Sequence, residues 1–251
     1  FSTVCHDVDG DGKLDLYTAE IAHWWAGESS DKSNLLRNTS SGPGSLAFER
    51  VDREAIGLEV PRVGVDWNEG GITALAGDLN GDARADLLLG TSDYPDQFGW
   101  VYRQTAEGLF EEVGEQIGMH HPCAVGVTTA DFDRDGDLDV VIASGTARDC
   151  AEIWSTNEVH LYENNGEAQS GWLAVRLRGN GSTTNAAGIG ARVAVEAGGV
   201  RQVQELTSGY GHFGLQNDTA LYFALGSCAR AAKVEVVWPD QARTTTVFEE
   251  V

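Results

Sequence analysis

Short apolar runs separated by polar loops make up most of the chain, and their lengths are those of β-strands. Runs at residues 14–17, 85–89 and 138–142 each follow an acidic loop, and runs at 72–76 and 124–130 precede one. Apolar runs of this length, bounded by Gly, Ser or Thr, predict strands rather than helices. Each acidic loop is therefore expected to join two antiparallel strands as an elongated hairpin.

Further strand-like segments follow each hairpin at similar spacing. Residues 34–38 correspond to 100–103 and 159–164, and residues 46–51 correspond to 109–113. Four strands in a repeating unit of roughly 55–70 residues are typical of a β-propeller blade. The pattern thus predicts three blade-like units and no long amphipathic helix.

From Trp172 onwards, apolar and polar residues largely alternate, as they do in half-buried antiparallel strands. The alternating segments are 172–178, 191–196, 200–206, 220–225 and 233–238, with glycines between them. They predict a small β-sandwich or open barrel of about six strands. The predicted fold class is therefore all-β, with a partial β-propeller followed by a C-terminal β domain.

The acidic charge is confined to one part of the chain. Residues 169–251 contain equal numbers of basic and acidic residues, so the whole net charge of −22 lies in residues 1–168. This step predicts a domain boundary, with the blades in 1–168 and the second β domain in 169–251. A surface this acidic disfavours nucleic acids and anionic membranes. No apolar run approaches the ~18 residues that a membrane-spanning helix needs.

The three acidic loops share a nine-residue pattern with oxygen-bearing side chains at positions 1, 3, 5 and 9. Carboxylates held this closely repel one another unless a hard cation lies between them, and Ca²⁺ accepts roughly six to eight oxygens in flexible geometry. We expect about three Ca²⁺ ions, one per loop, with the backbone carbonyl of position 7 as a further ligand. The expected ligands are Asp7, Asp9, Asp11, Lys13 and Asp15; Asp78, Asn80, Asp82, Arg84 and Asp86; and Asp131, Asp133, Asp135, Asp137 and Asp139.

The loops do not fit an EF-hand, which needs a Glu at loop position 12 and flanking helices. Position 12 here is Thr18, Leu89 or Ile142, inside a predicted strand. Position 6 favours glycine because the backbone there is expected to have positive φ. The first and third loops have glycine at this position, but the second has Ala83, and Asn80 replaces a carboxylate. The second site is therefore expected to be the weakest.

The four cysteines include no C-x-x-C pair, which argues against a thiolate zinc site and is compatible with disulfides in an oxidising compartment. Cys123 opens the strand before the third loop, and Cys150 lies just past the strand after it. Both fall at the same end of that hairpin, so we expect them to form a disulfide. Cys5 and Cys228 have no comparable argument, and their pairing stays open.

Other residues suggest weaker alternatives. His120 and His121 are candidates for a transition-metal site, but no third ligand lies at a useful spacing. Tryptophans in or near predicted loops have two possible roles, stacking on a sugar or packing between blades. They are Trp24, Trp25, Trp67 and Trp100. The sequence contains no nucleophile elbow or Gly-rich phosphate loop. The metal loops explain the closest acidic pairs, and a glycosidase carboxylate pair cannot be inferred from so acidic a sequence. We therefore expect no catalytic activity.

Two family resemblances cover nearly the whole chain. The acidic units resemble the FG-GAP/VCBS calcium repeats of integrin-α-like propellers. The C-terminal part resembles the ASPIC/UnbV domain of the cartilage acidic protein-like family through residues 172–173, 177–179, 185–193, 208–210, 225–226 and 237–240. The resemblance implies an extracellular, cell-surface or periplasmic protein that is non-catalytic and has an adhesion, binding or scaffold role. It does not identify the ligand.

Three units cannot close a ring, whereas propellers of this kind usually have about seven blades. We therefore expect upstream blades or a partner chain to cover residues 1–6 and the strand edges of the first and third units; an open arc is a further option. A protein or glycan partner is expected. Two alternative functions stay open: an accessory subunit of a larger envelope complex, and a secreted carbohydrate-active hydrolase on a propeller scaffold.

Overall fold

The computed structural model of the chain describes residues 2–42, 44–62, 65, 67–166, 171–209 and 212–251. Phe1, the predicted boundary between residues 168 and 169, and Tyr210 lie outside these ranges. Within them the chain is nearly all β, as the alternating pattern predicts. The helical elements of the described residues are three short 3₁₀ helices at Trp24–Ser29, Arg148–Glu152 and His212–Gly214. Among the described residues, no helix is sufficiently long and apolar for a membrane span.

The first sheet contains four strands: β1 (Ser2–His6), β2 (Asp15–Ala19), β4 (Asn34–Asn38) and β5 (Phe48–Arg50). They are hydrogen-bonded in the order β1-β2-β4-β5, and the intervening strand β3 (Ile21–His23) belongs to the second sheet. The first acidic loop joins β1 to β2 as an antiparallel hairpin that closes at the pair His6 and Asp15. This arrangement confirms the predicted position of the loop.

The second sheet is built in the same way. Its strands are β6 (Asn68–Gly77), β7 (Asp86–Thr91), β8 (Trp100–Gln104) and β9 (Phe110–Glu112), and the short strand β3 (Ile21–His23) pairs with the start of β6. The second acidic loop joins β6 to β7. The sequence pattern missed β3, because three residues are too few to show a period of two.

The third sheet has three strands among the described residues. They are β10 (Ala124–Ala130), β11 (Asp139–Ser144) and β12 (Glu158–Tyr162), in the order β10-β11-β12. The third acidic loop joins β10 to β11. The described residues thus give this sheet no fourth strand, in agreement with the expectation that one edge of the third unit is free.

Equivalent cross-strand pairs show how the three sheets stack. Tyr17 and Leu35 pair across β2 and β4 and are buried in the core that the first sheet shares with the second. Leu88 and Val101 occupy the same positions in the second sheet and are buried against the third. Burying an apolar face of each sheet against the next stabilises an arc of propeller blades.

The C-terminal part forms a two-layered β structure. Its strands are β13 (Gly171–Arg176), β14 (Arg192–Ala197), β15 (Val200–Glu205), β16 (Ala220–Gly226), β17 (Lys233–Val237) and β18 (Thr245–Glu249). One sheet is β13-β16 and the other is β15-β14-β17-β18. Val193, Phe223 and Val234 are among the residues of the core between them. The six strands match the predicted number, although β18 was not itself predicted.

The C-terminal sheets contact the arc along β10 and at two acidic loops. The backbone N–H of Asp218 donates to the carbonyl of Thr129 at 3.3 Å. The Arg192 guanidinium donates to the carbonyl of Gly12 in the first loop. Trp172 lies against Gly136 in the third loop, where a Cβ would clash with its indole ring.

The predicted disulfide between Cys123 and Cys150 is confirmed. The two Cα atoms are 5.9 Å apart, and both side chains are buried. The bond joins the start of β10 to the 3₁₀ helix that follows β11. Cys5 and Cys228 are free thiols.

Candidate metal centres

The three acidic loops share one backbone conformation. Position 6 has positive φ in every loop, as predicted: 83° at Gly12, 68° at Ala83 and 103° at Gly136. Position 4 also has positive φ, which the sequence argument missed: 72° at Gly10, 74° at Gly81 and 68° at Arg134. Two left-handed residues in six turn the backbone tightly in all three loops.

Ala83 adopts this left-handed conformation although its Cβ makes it unfavourable. We expect Ala83→Gly to stabilise the chain by about 0.5–1 kcal/mol, since relief of strain outweighs the added freedom of the unfolded chain. It is also expected to tighten calcium binding at the second loop. Urea denaturation measures the first effect. Gly12→Ala is the matched control and should shift the midpoint in the opposite direction; a lower midpoint for Ala83→Gly would contradict the prediction.

The carboxylate at position 9 is buried in each loop and accepts two backbone N–H groups. One comes from position 2 of the same loop and the other from the last residue of the neighbouring strand or, in the third sheet, from two residues beyond it. The distances are 3.0 Å from Val8 and 2.7 Å from Asn38 to Asp15, 3.0 Å from Leu79 and 2.9 Å from Gln104 to Asp86, and 2.8 Å from Phe132 and 2.9 Å from Asn164 to Asp139. Position 9 therefore locks the hairpin to the sheet whether or not it also binds a metal.

Asn38, Gln104 and Asn164 belong to the loop architecture, and the sequence argument did not single them out. Asn38 and Asn164 also donate their side-chain amides to the carbonyls of Leu14 and Leu138, at 2.9 Å and 3.4 Å. The signal was present in the sequence, because the segments ending in Asn38 and Asn164 align with each other.

The carboxylate at position 1 distinguishes the loops most clearly. In the first loop, Oδ2 of Asp7 accepts the backbone N–H of Gly12 at 3.0 Å, whereas its buried Oδ1 has no hydrogen-bond partner. In the third loop, Oδ1 of Asp131 is likewise buried without a partner. A buried carboxylate oxygen without a donor is destabilising, and a cation would satisfy it.

The second loop satisfies its own position 1. Oδ1 of Asp78 accepts the N–H groups of Gly81 and Asp82 at 2.8 and 3.1 Å, and Oδ2 accepts that of Ala83 at 2.7 Å. The guanidinium of Arg84 pairs with Asp82. This loop has fewer oxygens free for a metal, and its rank as the weakest site stays a prediction.

Positions 3 and 5 form the turns of each loop, with their carboxylates or amide accepting the N–H two residues later. In the first loop, the N–H of Asp11 donates to Asp9 at 3.2 Å and that of Lys13 donates to Asp11 at 2.8 Å. Arg37 and Lys13 also pair with Asp9 and Asp11 at 2.8 and 2.6 Å. These cations offset part of the repulsion in the first loop.

No ion pair among the described residues involves the third loop. No paired cation among the described residues therefore offsets the repulsion between its carboxylates. Burial first, and the neighbouring Asp135 next, raise the pKa of Asp137 to about 7. Burial raises the pKa of Asp131 as well. A bound cation would reverse this effect by favouring the ionised forms.

Two groups of carboxylates are close enough to share one ion. They are Asp7, Asp9 and Asp11 in the first loop and Asp131, Asp133 and Asp139 in the third, and within each group the oxygens lie within 4.8 Å of one another. All donors are hard oxygens, which suit Ca²⁺ rather than a transition metal. The structure thus brings three predicted ligands together in each of these loops, whereas Asp15 and Asp135 lie outside both groups. The roles of the predicted ligands, including the carbonyls of Lys13, Arg84 and Asp137, stay predictions.

The histidines serve packing in the described structure. His121 is buried, and its ring nitrogens lie 2.6 Å from the hydroxyls of Tyr162 and Ser144. Burial lowers its pKa to about 4, so the imidazole is neutral. His120 stacks on Phe98. No metal-binding group of His, Cys, Asp or Glu found among the described residues includes either histidine.

The tryptophans divide into buried and exposed groups. Trp100 is buried between the first and second sheets, and Trp67 stacks under the guanidinium of Arg62 at 4.0 Å. Trp24 and Trp25 are exposed and follow β3, which pairs with the end of β6 farther from the acidic loop, and Trp25 stacks on His23. Packing therefore accounts for Trp100, whereas the two exposed indoles keep the sugar-stacking hypothesis as a prediction.

Blades with acidic hairpin loops, followed by a separate two-layered β structure, define a propeller-repeat protein with a C-terminal β module. The profile of the FG-GAP-like repeat matches residues 7–89 and 78–142, more than half of the chain. The chain therefore belongs to the FG-GAP-like repeat family. The profile of the ASPIC and UnbV domain matches residues 181–251.

The chain is also similar to a particular protein. The chain is 26% identical to human (Homo sapiens) cartilage acidic protein 1 over 148 residues. The match covers 56% of this chain and 20% of the human protein. The chain thus spans about a fifth of the length of the relative that it matches.

Proposed function

We propose that the first and third acidic loops each bind a structural Ca²⁺ ion and that the second binds one more weakly. The observation that carries this proposal is the buried carboxylate oxygen without a partner at position 1 of each of these two loops, Oδ1 of Asp7 and Oδ1 of Asp131. Membership of the FG-GAP-like repeat family supports it, because such repeats often bind calcium. The ions would neutralise the carboxylates of each loop and hold the hairpin together.

Calorimetric titration of the metal-free chain with Ca²⁺ tests this proposal and ranks the sites. Two tighter sites and one weaker site are expected. Asp135→Ala should remove one of the tight sites and lower stability, whereas Asp82→Ala should cost less because the second loop already lacks a carboxylate at position 3 and glycine at position 6. Absence of saturable heat, or a middle loop that binds tightest, would contradict the assignment.

We propose that the chain acts as a non-catalytic, secreted or cell-surface module for adhesion or scaffolding. In this proposal residues 1–168 form the blades and residues 169–251 the C-terminal β domain. The buried disulfide supports an oxidising compartment, which is extracellular or periplasmic. Partner binding, to protein or glycan, is the activity to test, and pull-down with calcium-loaded and calcium-depleted chain as paired baits tests it.

A specific observation favours the accessory-subunit alternative. Val141 and Leu161 in the third sheet are equivalent to the buried pairs Tyr17–Leu35 and Leu88–Val101, yet Leu161 is 56% exposed. Val159, on the same face of β12, is also exposed. An apolar sheet face of this kind is typical of an interaction surface.

The hydrolase alternative is tested by assaying the chain against chromogenic glycosides.

A further inference from the structure

Aromatic and charged side chains from all three blades meet on the surface of the arc. They come from the segments that follow β2, β7 and β11, and each of these strands begins at its acidic loop. The segments therefore leave the sheets at the ends farther from the acidic loops. We call this cluster the aromatic patch, and its members are His23, Trp24, Trp25, Asp93, Tyr94 and Arg148.

Contacts within the chain hold the rings of the patch in place. Nδ1 of His23 lies 2.6 Å from Oδ1 of Asn68, at the start of β6. Trp25 stacks on His23 with the ring centroids 5.0 Å apart, and Tyr94 makes a T-shaped contact with His23 at 4.6 Å. Side chains that are fixed before a ligand arrives lose little conformational entropy on binding. The patch is therefore preorganised.

Trp25 presents one face of its indole ring to solvent. The other face lies on the imidazole of His23 at an interplanar angle of 13°, yet Trp25 is 68% exposed. Trp24, the preceding residue, is also exposed. An open indole face suits the C–H face of a pyranose ring, because both surfaces are flat and apolar while their rims are polar.

Polar groups lie beside Tyr94. The guanidinium of Arg148 is 4.5 Å from the centroid of the Tyr94 ring, and it pairs with Asp93 at 2.9 Å. Arg148 uses Nη1 for this pair, and its side chain is 55% exposed, so further N–H donors of the guanidinium face solvent. Asp93 supplies acceptor oxygens. This part of the patch thus offers both donors and acceptors, which sugar hydroxyls require.

The patch differs from the surfaces that the sheets bury against one another. Those surfaces are largely aliphatic, as at Leu35 and Leu88. Among the described residues, the contacts of the patch join aromatic and charged side chains and no aliphatic one. A further blade would stack on a sheet face and a further strand would pair along an edge, whereas Trp25, Tyr94 and Arg148 lie outside the strands. The patch therefore suits a ligand other than propeller strands.

We propose that the aromatic patch binds a neutral oligosaccharide. Trp25 stacks on one pyranose ring, and Arg148 and Asp93 form hydrogen bonds with hydroxyls of another. Trp25 and Tyr94 contact different sides of His23, and Arg148 lies beyond Tyr94, so the patch extends over more than one sugar ring. The net charge of −22 disfavours polyanionic glycans. The proposal names the ligand class for the binding role proposed above and rests on that role.

Saturation-transfer difference NMR with the calcium-loaded chain tests the proposal, with cellotetraose and chitotetraose as probes. Both are neutral sugars whose rings have flat C–H faces. Saturable transfer to the ring protons of at least one probe is expected. A heparin-derived tetrasaccharide, which is polyanionic, should give none.

Two variants locate the site. Trp25→Ala should weaken binding at least about tenfold, because truncating a tryptophan that anchors an interface typically costs this much or more. Arg148→Gln should weaken it about threefold or more through the loss of hydrogen-bond donors. Both side chains are exposed, so both variants should melt close to the wild type. Phe248→Ala, which removes an exposed ring in β18, is the matched control and should leave binding unchanged.

Absence of transfer to both neutral probes, equal binding by the wild type and Trp25→Ala, or preference for the heparin tetrasaccharide would overturn the proposal. The calcium assignment would be untouched by these results, because it is measured by titration and melting without sugar. A chain that captures a protein partner in the pull-down but binds neither neutral probe would refute the glycan site and leave the interaction role standing.

Discussion

Removing calcium from the loaded chain is expected to lower its melting temperature by roughly 10–20 °C. An ion that binds only the folded state stabilises it by about 2.7 kcal/mol at a free concentration of roughly 100 Kd. Two such sites contribute about 5 kcal/mol, and in a chain of this size each kcal/mol shifts the melting temperature by roughly 2–4 °C. The melting temperature falls because the buried oxygens of Asp7 and Asp131 lose the cation that would satisfy them.

Differential scanning calorimetry with and without excess chelator, with calcium loss verified by elemental analysis, provides the measurement. The Asp7→Asn, Asp131→Asn double variant is the control, and its melting curve should respond little to chelator. Proteolysis within residues 1–165 should accelerate in parallel. An unchanged melting curve after confirmed calcium loss would show that the loops are not stabilised by metal.

The strands were predictable where apolar residues and turn signals repeat. The hairpins around the three loops follow from runs such as 124–130 and 138–142, which the structure places in β10 and β11. The short strand β3 was not predictable, because it forms only when Ile21–His23 meets the start of β6. That pairing is long-range and leaves no local period in the sequence.

The acidic loops were predictable as repeats, but the different roles of the carboxylates within each loop were not. Positions 1 and 9 carry the same residue, aspartate, in all three loops. Only the structure shows that position 9 is held by two amides, whereas position 1 has a free buried oxygen in the first and third loops. The difference depends on backbone geometry around each carboxylate, which composition does not encode.

The contacts of the C-terminal sheets with the acidic loops also lie beyond sequence reasoning. The glycine at position 6 was predicted from backbone conformation alone. In the third loop Gly136 has a second role, because any side chain there would collide with Trp172. In the first loop the carbonyl of Gly12 accepts a hydrogen bond from Arg192. These contacts join segments far apart in the chain, so no local pattern shows them.

Replacing both Cys123 and Cys150 by alanine is expected to lower the free energy of unfolding by about 3.5 kcal/mol. The bond closes a loop with a sequence separation of 27. Without that constraint the unfolded chain has more conformational entropy, and this entropy lowers the free energy of unfolding by about the stated amount. Each substitution removes one buried sulfur atom, so the cavity that it leaves is small. Guanidinium denaturation with free-thiol counting measures the effect.

The position of the disulfide separates this effect from calcium binding. Cys123 and Cys150 lie at one end of the β10–β11 hairpin, and the third acidic loop lies at the other. The double variant is therefore expected to keep the calcium affinity of the third loop within about threefold while losing stability, since the ion's own ligands are unchanged. The double Cys5→Ala, Cys228→Ala variant removes only free thiols and should unfold close to the wild-type midpoint. Equal midpoints for the two double variants would show that the Cys123–Cys150 bond does not stabilise the third blade.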